Sequence, residues 1–299
     1  MQQRQSTRLR ELLRSKTFLH MPAVYDALTG RLVQSLGYEA TYVGGYVTGG
    51  ASTVTEPQLT MTEQVRLAEE IASKISIPLV VDAGAGFGEP LHTMRTVREF
   101  IRAGIAGVHI EDALYPKRAH YHTYVVHGIP VDEFVEKIEY AVKARDAADP
   151  DFVIIARSDT ARAMGLEEAL MRVNRAADVG ADLGLLFPRN HKDAEEAPRK
   201  SRLPLVYVQS RGNRDGRPLY SSKDLQDMGY VACIEAQVVI CSNFHYQKKL
   251  LTELRETGDF KGLTQAEWVA SRQEIEDLID LNEHYAIEAA TVEARQPKD

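Results

Sequence analysis

Cysteine is nearly absent from this chain. The two present, Cys233 and Cys241, lie eight residues apart and lack the His or Cys neighbours of a zinc site or a disulfide framework. They read as buried apolar thiols. Long hydrophobic runs are missing as well, which excludes a membrane-spanning helix. Residues 1–18 are charged throughout and lack the apolar core of a signal peptide, so the expected location is the cytoplasm. There is no excess of positive charge either. Lys and Arg number 36 against 43 Asp and Glu, a net charge of −7. That balance argues against nucleic acid or anionic membrane as the main partner, while a local cluster of Arg and Lys can still hold a small anion.

What is present is a chain of 299 residues, 44% hydrophobic and 26% charged, long enough to bury a large core. Short apolar runs rich in β-branched residues alternate with longer stretches of helical spacing, the pattern of buried parallel strands and covering helices. Eight strands are expected: His20–Tyr25, Ala40–Gly44, Pro78–Asp82, Gly107–Glu111, Phe152–Arg157, Leu183–Phe187, Pro204–Gln209 and Val231–Ala236. Helices are expected over Thr62–Ser73, Pro90–Ala103, Val131–Ala148 and Leu166–Val179. Gly104, Gly180 and Gly229 stand where a left-handed cap would end a helix ahead of a strand.

Eight such units without a linker or composition break fit one closed (β/α)8 TIM-type barrel better than an open doubly wound sheet. The reading is a single domain over residues 1–299, with 238–299 as a C-terminal helical extension. Leu250, Leu251, Leu254, Ile275, Leu278, Ile279 and Leu281 exceed what a last barrel helix needs. They point to a homo-dimer or homo-tetramer formed through these helices.

Catalytic groups of such barrels project from the C-terminal ends of the strands. Here those ends read Tyr42-Val-Gly-Gly-Tyr, Asp82-Ala-Gly-Ala-Gly-Phe-Gly, His109-Ile-Glu-Asp and Arg157-Ser-Asp. Asp82 and Glu111 follow apolar residues, where an ionised carboxylate is costly unless a cation faces it. A hard divalent ion such as Mg²⁺ supplies that. A structural ion network with Arg157 or a lysine is the alternative. Arg157 offers a fork of donors matched to a carboxylate or phosphonate. Gly44 and Gly45 either present N–H groups to an oxyanion or make a tight turn. The stretch from Tyr115 to Tyr124 concentrates Lys117, Arg118, His120, Tyr121 and His122, and reads either as a closing lid or as a solvated basic loop.

Taken in order, Tyr25-Asp-Ala-Leu, the glycine loop from Asp82 to Gly88, His109-Ile-Glu-Asp with Pro116-Lys-Arg, and Ile154-Ile-Ala-Arg-Ser-Asp resemble the isocitrate lyase and phosphoenolpyruvate mutase superfamily. The likeness runs from Pro22 through the eighth strand. It implies Mg²⁺, or Mn²⁺ as a substitute, at Asp82 and Glu111. It further implies a substrate carboxylate on Arg157 and the Gly44 and Gly45 N–H groups, and a lid carrying Lys117.

The departures are specific. Gly84 stands where the second acid of an Asp-x-Asp pair is usual, and Gln58 where another acid is usual, so metal binding is weakened. Ala119 replaces the lyases' lid Cys, leaving His120, Tyr121 or His122 as proton donor. Phe187 stands in place of a Glu, and Val208 in place of an Asn, with Gln209 and Arg211 following. The site expected is therefore Lys117, Arg118, His120, Tyr121 and Glu111 for catalysis, with Tyr42, Gly44, Gly45, Asp82, Arg157 and Gln209 for the substrate.

The resemblance implies a carbon–carbon bond lyase working on a small 2-hydroxy or 2-oxo carboxylate through an enolate-like intermediate. A phosphonopyruvate mutase or hydrolase, or an oxaloacetate decarboxylase, is a second class that needs no lid Cys. A binding protein on a barrel that has lost catalysis is a third.

Overall fold

Each of the eight apolar runs becomes a strand, with ends within three residues of those expected. They are β1 (Leu19–Pro22), β2 (Thr41–Val43), β3 (Leu79–Asp82), β4 (Gly107–Glu111), β5 (Val153–Ser158), β6 (Leu183–Leu186), β7 (Leu205–Gln209) and β8 (Ala232–Glu235). The structure is a computed structural model that describes residues 3–15, 18–119 and 123–295. All neighbouring strands pair in parallel, in the order β1-β8-β7-β6-β5-β4-β3-β2. A bridge between Ala23 and Tyr42, with the Val24 N–H donating to the Tyr42 carbonyl at 2.9 Å, brings β1 against β2 and closes the ring. This is the (β/α)8 barrel.

Helix α1 (Gln5–Arg14) precedes the ring, and α2 (Ala27–Ser35), α3 (Gly45–Ala51) and α4 (Met61–Ala72) lie between β1 and β3 in sequence. Next come α5 (Pro90–Arg102), α6 (Val131–Ala148), α7 (Ala161–Met164) and α8 (Leu166–Asp178). Then follow α9 (His191–Lys200) and α10 (Ser222–Met228), and after β8 come α11 (Val238–Thr257), α12 (Gln265–Leu278) and α13 (Leu281–Ala290). One compact unit ends at Cys241 and a second begins at Ser242. No residue of α11, α12 or α13 is buried. None of the helices described is long and apolar enough to cross a membrane.

Local chemistry sets the boundaries. The helix expected from Thr62 starts earlier because Thr60 is its cap. The Thr60 hydroxyl accepts from the Glu63 N–H and the Glu63 carboxylate accepts from the Thr60 N–H, a reciprocal pair that contributes about 1 kcal/mol. Gly104, Gly180 and Gly229 take φ of 77°, 95° and 102°, the left-handed exits their positions called for. Cys233 is buried as expected, whereas Cys241 is exposed, since α11 covers none of its own residues.

Side-chain alternation divides each strand between two cores. Leu79, Val81, Val108, Ile110, Ile154 and Ala156 face outward and pack with helix residues such as Phe100 of α5 and Phe134 of α6. Burying each of those rings stabilises the fold by roughly 1.5–3 kcal/mol. Val80, Val153, Ile155, Leu185, Val206 and Ile234 fill the barrel interior together with Leu9 of α1. Arg10 of α1 donates to the carbonyls of Asp151 and Phe152, so α1 covers the N-terminal end of the barrel. Only the C-terminal end is left for a ligand.

Candidate active site

The same alternation that sends Val80, Val153 and Ile155 inward sends Asp82, Glu111 and Arg157 inward at the open end. Arg157 is the hub. Its guanidinium grips Asp159 with two bonds, Nε to Oδ1 at 2.7 Å and Nη2 to Oδ2 at 2.8 Å. It also lies 3.1 Å from Glu111 Oε2 and 3.5 Å from Asp82 Oδ2. Lys117 Nζ stands 2.9 and 3.1 Å from the two Glu111 oxygens and pairs with Glu56. Asp82 accepts the Gly84 N–H at 2.8 Å and the Gly45 N–H at 3.2 Å. Gly45 begins α3, with Gly44 as its cap, so the glycine pair opens a helix. A Cβ on Gly45 would collide with Glu56, and one on Gly44 would lie 2.8 Å from the Tyr42 ring.

Beneath these groups Tyr42 Oη and His109 Nε2 are 2.6 Å apart, and His109 Nδ1 is 3.5 Å from Asp82. Burial lowers His109 to about 4 against the opposing pull of Asp82, so the ring is neutral near pH 7. Burial, with Asp82 beside it, pushes the Tyr42 hydroxyl well above its ordinary range. For Asp82 burial opposes ionisation, but His109, once protonated in acid, together with Arg157 and Lys117 outweighs it and holds the carboxyl well below the usual range. For Glu111 burial wins over Lys117 and Arg157 and raises it to about 7. For Lys117 burial is outweighed by Glu111 and Glu56, and its ammonium is held above the usual range. One carboxylate is thus fixed as an anion and another stands at the midpoint of its titration.

Tyr42, Gly44, Gly45, Asp82 and Arg157 all line one cavity at the mouth. Glu111, fully buried, lies behind it with Lys117. The other expected residues fall elsewhere. Arg118 lines a separate small hollow with Leu114 and His127. His120, Tyr121 and His122 lie outside the described residues. Gln209 does not line the cavity, because it belongs to the outward set of β7. Its amide donates to Glu235 at 2.8 Å and its oxygen accepts the Tyr220 N–H at 2.6 Å. Gln58 is exposed and bonds back to the Thr55 N–H.

Other residues came unannounced. Glu56, two positions before Gln58, is the acid that the Glu56–Gln58 turn delivers to the site. Its neighbouring Pro57 was the available signal. Arg162, from the short helix α7 after β5, and Arg189 and Arg217, from the loops after β6 and β7, reach the cavity. Phe187 is held between the guanidinium groups of Arg157, at 5.1 Å, and Arg217, at 4.9 Å. Asp215 binds both Arg189 and Arg217.

Glu56, Asp82 and Glu111 each offer an oxygen within 4.8 Å of the others. Three clustered carboxylates fit a hard, oxygen-seeking divalent ion.

The sequence profile of phosphoenolpyruvate phosphomutase matches residues 9–255. A 2,3-dimethylmalate lyase of Eubacterium barkeri is 35% identical over 229 residues, covering 75% of this chain and 77% of that one. The chloroplastic carboxyvinyl-carboxyphosphonate phosphorylmutase of Arabidopsis thaliana is 32% identical over 292 residues, covering 95% and 84%. A crystal structure of 2,3-dimethylmalate lyase superposes with a TM-score of 0.87 at 27% identity, covering 96% of this chain and 95% of that one. This chain is a member of the phosphoenolpyruvate phosphomutase family of enzymes, within the PEP mutase/isocitrate lyase superfamily.

Proposed function

We propose that this enzyme is a carbon–carbon bond lyase that releases a 2-oxo acid such as pyruvate from a small 2-hydroxy di- or tricarboxylate. The observation that carries the reading is Arg157, which lines the cavity while touching Asp82, Glu111 and Asp159. A substrate carboxylate that met the Arg157 guanidinium from the cavity, taking over the Gly45 N–H that Asp82 now accepts, with Gly44 beside it, would lie against the carboxylate cluster. A base takes the hydroxyl proton, and Glu111, acting through a water, is proposed for that role. As the bond breaks, the hydroxyl carbon becomes the carbonyl of the 2-oxo acid. The electron pair passes to the other fragment, an enolate-like carboxylate, which Arg157 holds until a proton is returned to its carbon. His120, Tyr121 or His122 is the proposed donor, since Ala119 cannot transfer a proton, and Lys117 supplies charge from behind the cavity, beside Glu111.

Mg²⁺, with Mn²⁺ as a substitute, would be held by Asp82 and Glu111 with Glu56 beside them, and would supply positive charge against the developing anion. Gly84 gives no carboxylate and Gln58 is turned away, so Glu56 is the acid that offsets their loss.

Residues 238–299 are proposed as a helical extension of the one barrel domain that builds a homo-dimer or homo-tetramer. Phe244, Leu251, Val269 and Ile287 are each more than half exposed, an apolar surface that association would cover. Light scattering that finds a monomer at micromolar concentration would refute this.

A small charged substrate fits the cytoplasm. The second reading is a phosphonopyruvate mutase or hydrolase, or an oxaloacetate decarboxylase, favoured by Ala119 in place of the lid Cys. Proton NMR with a panel of 2-hydroxy di- and tricarboxylates, oxaloacetate and phosphonopyruvate, with Mg²⁺ and with EDTA, separates them. A 2-oxo acid product from a hydroxy acid, lost with EDTA, is the expected result. Turnover of oxaloacetate or phosphonopyruvate alone would favour the second reading.

A further inference from the structure

Arg157 shares its cavity with further guanidinium groups, and two of them outnumber the acid between them. Arg189 donates from Nη1 to Asp215 Oδ2 at 2.8 Å and from Nη2 to the Asp215 carbonyl at 3.2 Å. Arg217 Nε reaches the other carboxylate oxygen of Asp215 at 3.4 Å. Burial opposes ionisation of Asp215, but Arg189 and Arg217 hold it below the usual range, so the acid stays charged. One anion against two cations leaves a single positive charge over. Arg157, by contrast, is already ringed by Asp82, Glu111 and Asp159.

The hydrogen bonds tell the same story as the charges. The Arg217 side chain is only 13% exposed, and of the five N–H donors of a guanidinium it uses the one on Nε. Its Nη1 and Nη2 make no hydrogen bond among the described residues. Gln237 adds a second unused donor. Its Oε1 accepts the Ser210 hydroxyl at 2.8 Å and the Gly212 N–H at 3.0 Å. A backbone N–H can only donate, so that end of the amide is its oxygen, and Nε2 is left without a partner among the described residues. Arg217 and Gln237 both line the cavity, so unmatched donors stand where a bound molecule would lie. Two oxygens in one plane match the terminal edge of a guanidinium. Arg217 also rests on the same Phe187 ring as Arg157, at 4.9 Å against 5.1 Å, so the two guanidinium groups are near enough for one small molecule to meet both.

We propose that Arg217 and Gln237 form a second carboxylate subsite, with Asp215 and Arg189 holding Arg217 in place, and that it binds the end of the substrate remote from Arg157. The substrate then carries at least two carboxylates, one for each of the guanidinium groups that touch Phe187. The single surplus charge suits one carboxylate at this end. An acid with only one carboxylate would leave the donors of Arg217 and Gln237 unmatched, and that is how the site would choose. This subsite rests on the reading in which Arg157 takes the first carboxylate.

The test is calorimetric titration of the full-length protein with the saturated dicarboxylates from malonate to adipate and with the monocarboxylates of equal length. In wild type at least one dicarboxylate should bind about tenfold or more tightly than its monocarboxylate counterpart, the scale of a hydrogen-bonded charge. Arg217→Met and Gln237→Glu should each erase that advantage. Gln237→Glu keeps the oxygen that Ser210 and Gly212 use and puts negative charge in place of Nε2, so it decides the matter if Arg217→Met does not fold. Monocarboxylate binding should change by less than about threefold in both, since salt screens a more distant charge. Equal affinity for the two kinds of acid in wild type, no binding of any acid at millimolar concentration, or an advantage that survives in either folded variant overturns the proposal. Only binding is read. A protein that prefers dicarboxylates but turns none over refutes the lyase reading and keeps the subsite, and a working lyase without the preference refutes the subsite alone.

Discussion

Two glutamates end strands of the same barrel and meet opposite fates. Glu111 closes β4 on the inner face, fully buried, with Lys117 and Arg157 against it. Glu235 closes β8 on the outer face. There it accepts from Gln209 at 2.8 Å and from Arg211 at 3.0 and 2.8 Å, with His20 at 3.4 Å. Burial raises Glu111 to about 7, whereas for Glu235 burial is outweighed by His20 and Arg211 and the carboxyl is held below its ordinary value. The outer group even has the spacing of a metal site, since His20, Cys233 and Glu235 offer atoms within 4.8 Å of one another. Yet its carboxylate is saturated with donors, and burial pushes the Cys233 thiol up to about 12, far from a ligating thiolate. The outer cluster is closed among its own partners, whereas the inner one brings three carboxylates together behind a cavity that Asp82 and Arg157 line, and that is what a ligand can use.

The comparison can be broken most sharply at its arginines. Arg157→Met should lower kcat/KM by about a thousandfold or more, the scale of losing an oriented charge at the reacting centre. Retention of more than about a tenth of the activity would place the inner cluster on the structural side as well.

The two acids should next give opposite pH trends in stability. Because the folded state favours protonated Glu111, its contribution is full below 4.5 and is lost as pH rises through about 7. Glu111→Gln should abolish that decline, worth about 3 kcal/mol in chemical denaturation. Glu235 contributes above its ordinary 4.5 and loses that contribution as pH falls, so Glu235→Gln should flatten the acid limb instead. Identical profiles for the two variants would erase the distinction.

Gln209→Ala tests the outward placement. It should cost about 1–3 kcal/mol, because the Tyr220 N–H and Glu235 lose a partner, while KM stays unchanged. A raised KM with unaltered stability would return Gln209 to the substrate. The smallest effect is expected at Arg211, whose side chain is 52% exposed. Arg211→Met should change stability by less than about 1 kcal/mol and leave turnover as it was.

The fold was legible because its signals are local and repeated. Runs such as Val153–Ala156 and Leu183–Leu186 are apolar on both faces, and the glycines at 104, 180 and 229 announce helix exits. Asp82, Glu111 and Arg157 could be picked because a charged residue at the end of such a run contradicts its surroundings. Gln209 was misassigned for a related reason. Polarity marks a strand end, but the face depends on register, and one residue separates Val208 inside from Gln209 outside. Glu56 was passed over because alignment along the chain favoured Gln58, while the turn through Pro57 presents Glu56 instead. Arg189 and Arg217 sit in loops, and Arg162 in a single helical turn, with no periodicity to betray them.

The sequence by itself determined the eightfold alternation of strand and helix, the end of the barrel where charge collects, and the family. These follow from propensity and from burial patterns a few residues long. Only the tertiary structure decided which carboxylates share one cluster, which lysine stands among them, and which polar strand ends face away. Those outcomes depend on closing the ring and choosing one face of each strand, and they join residues such as Glu56, Glu111 and Arg157 that no local pattern connects.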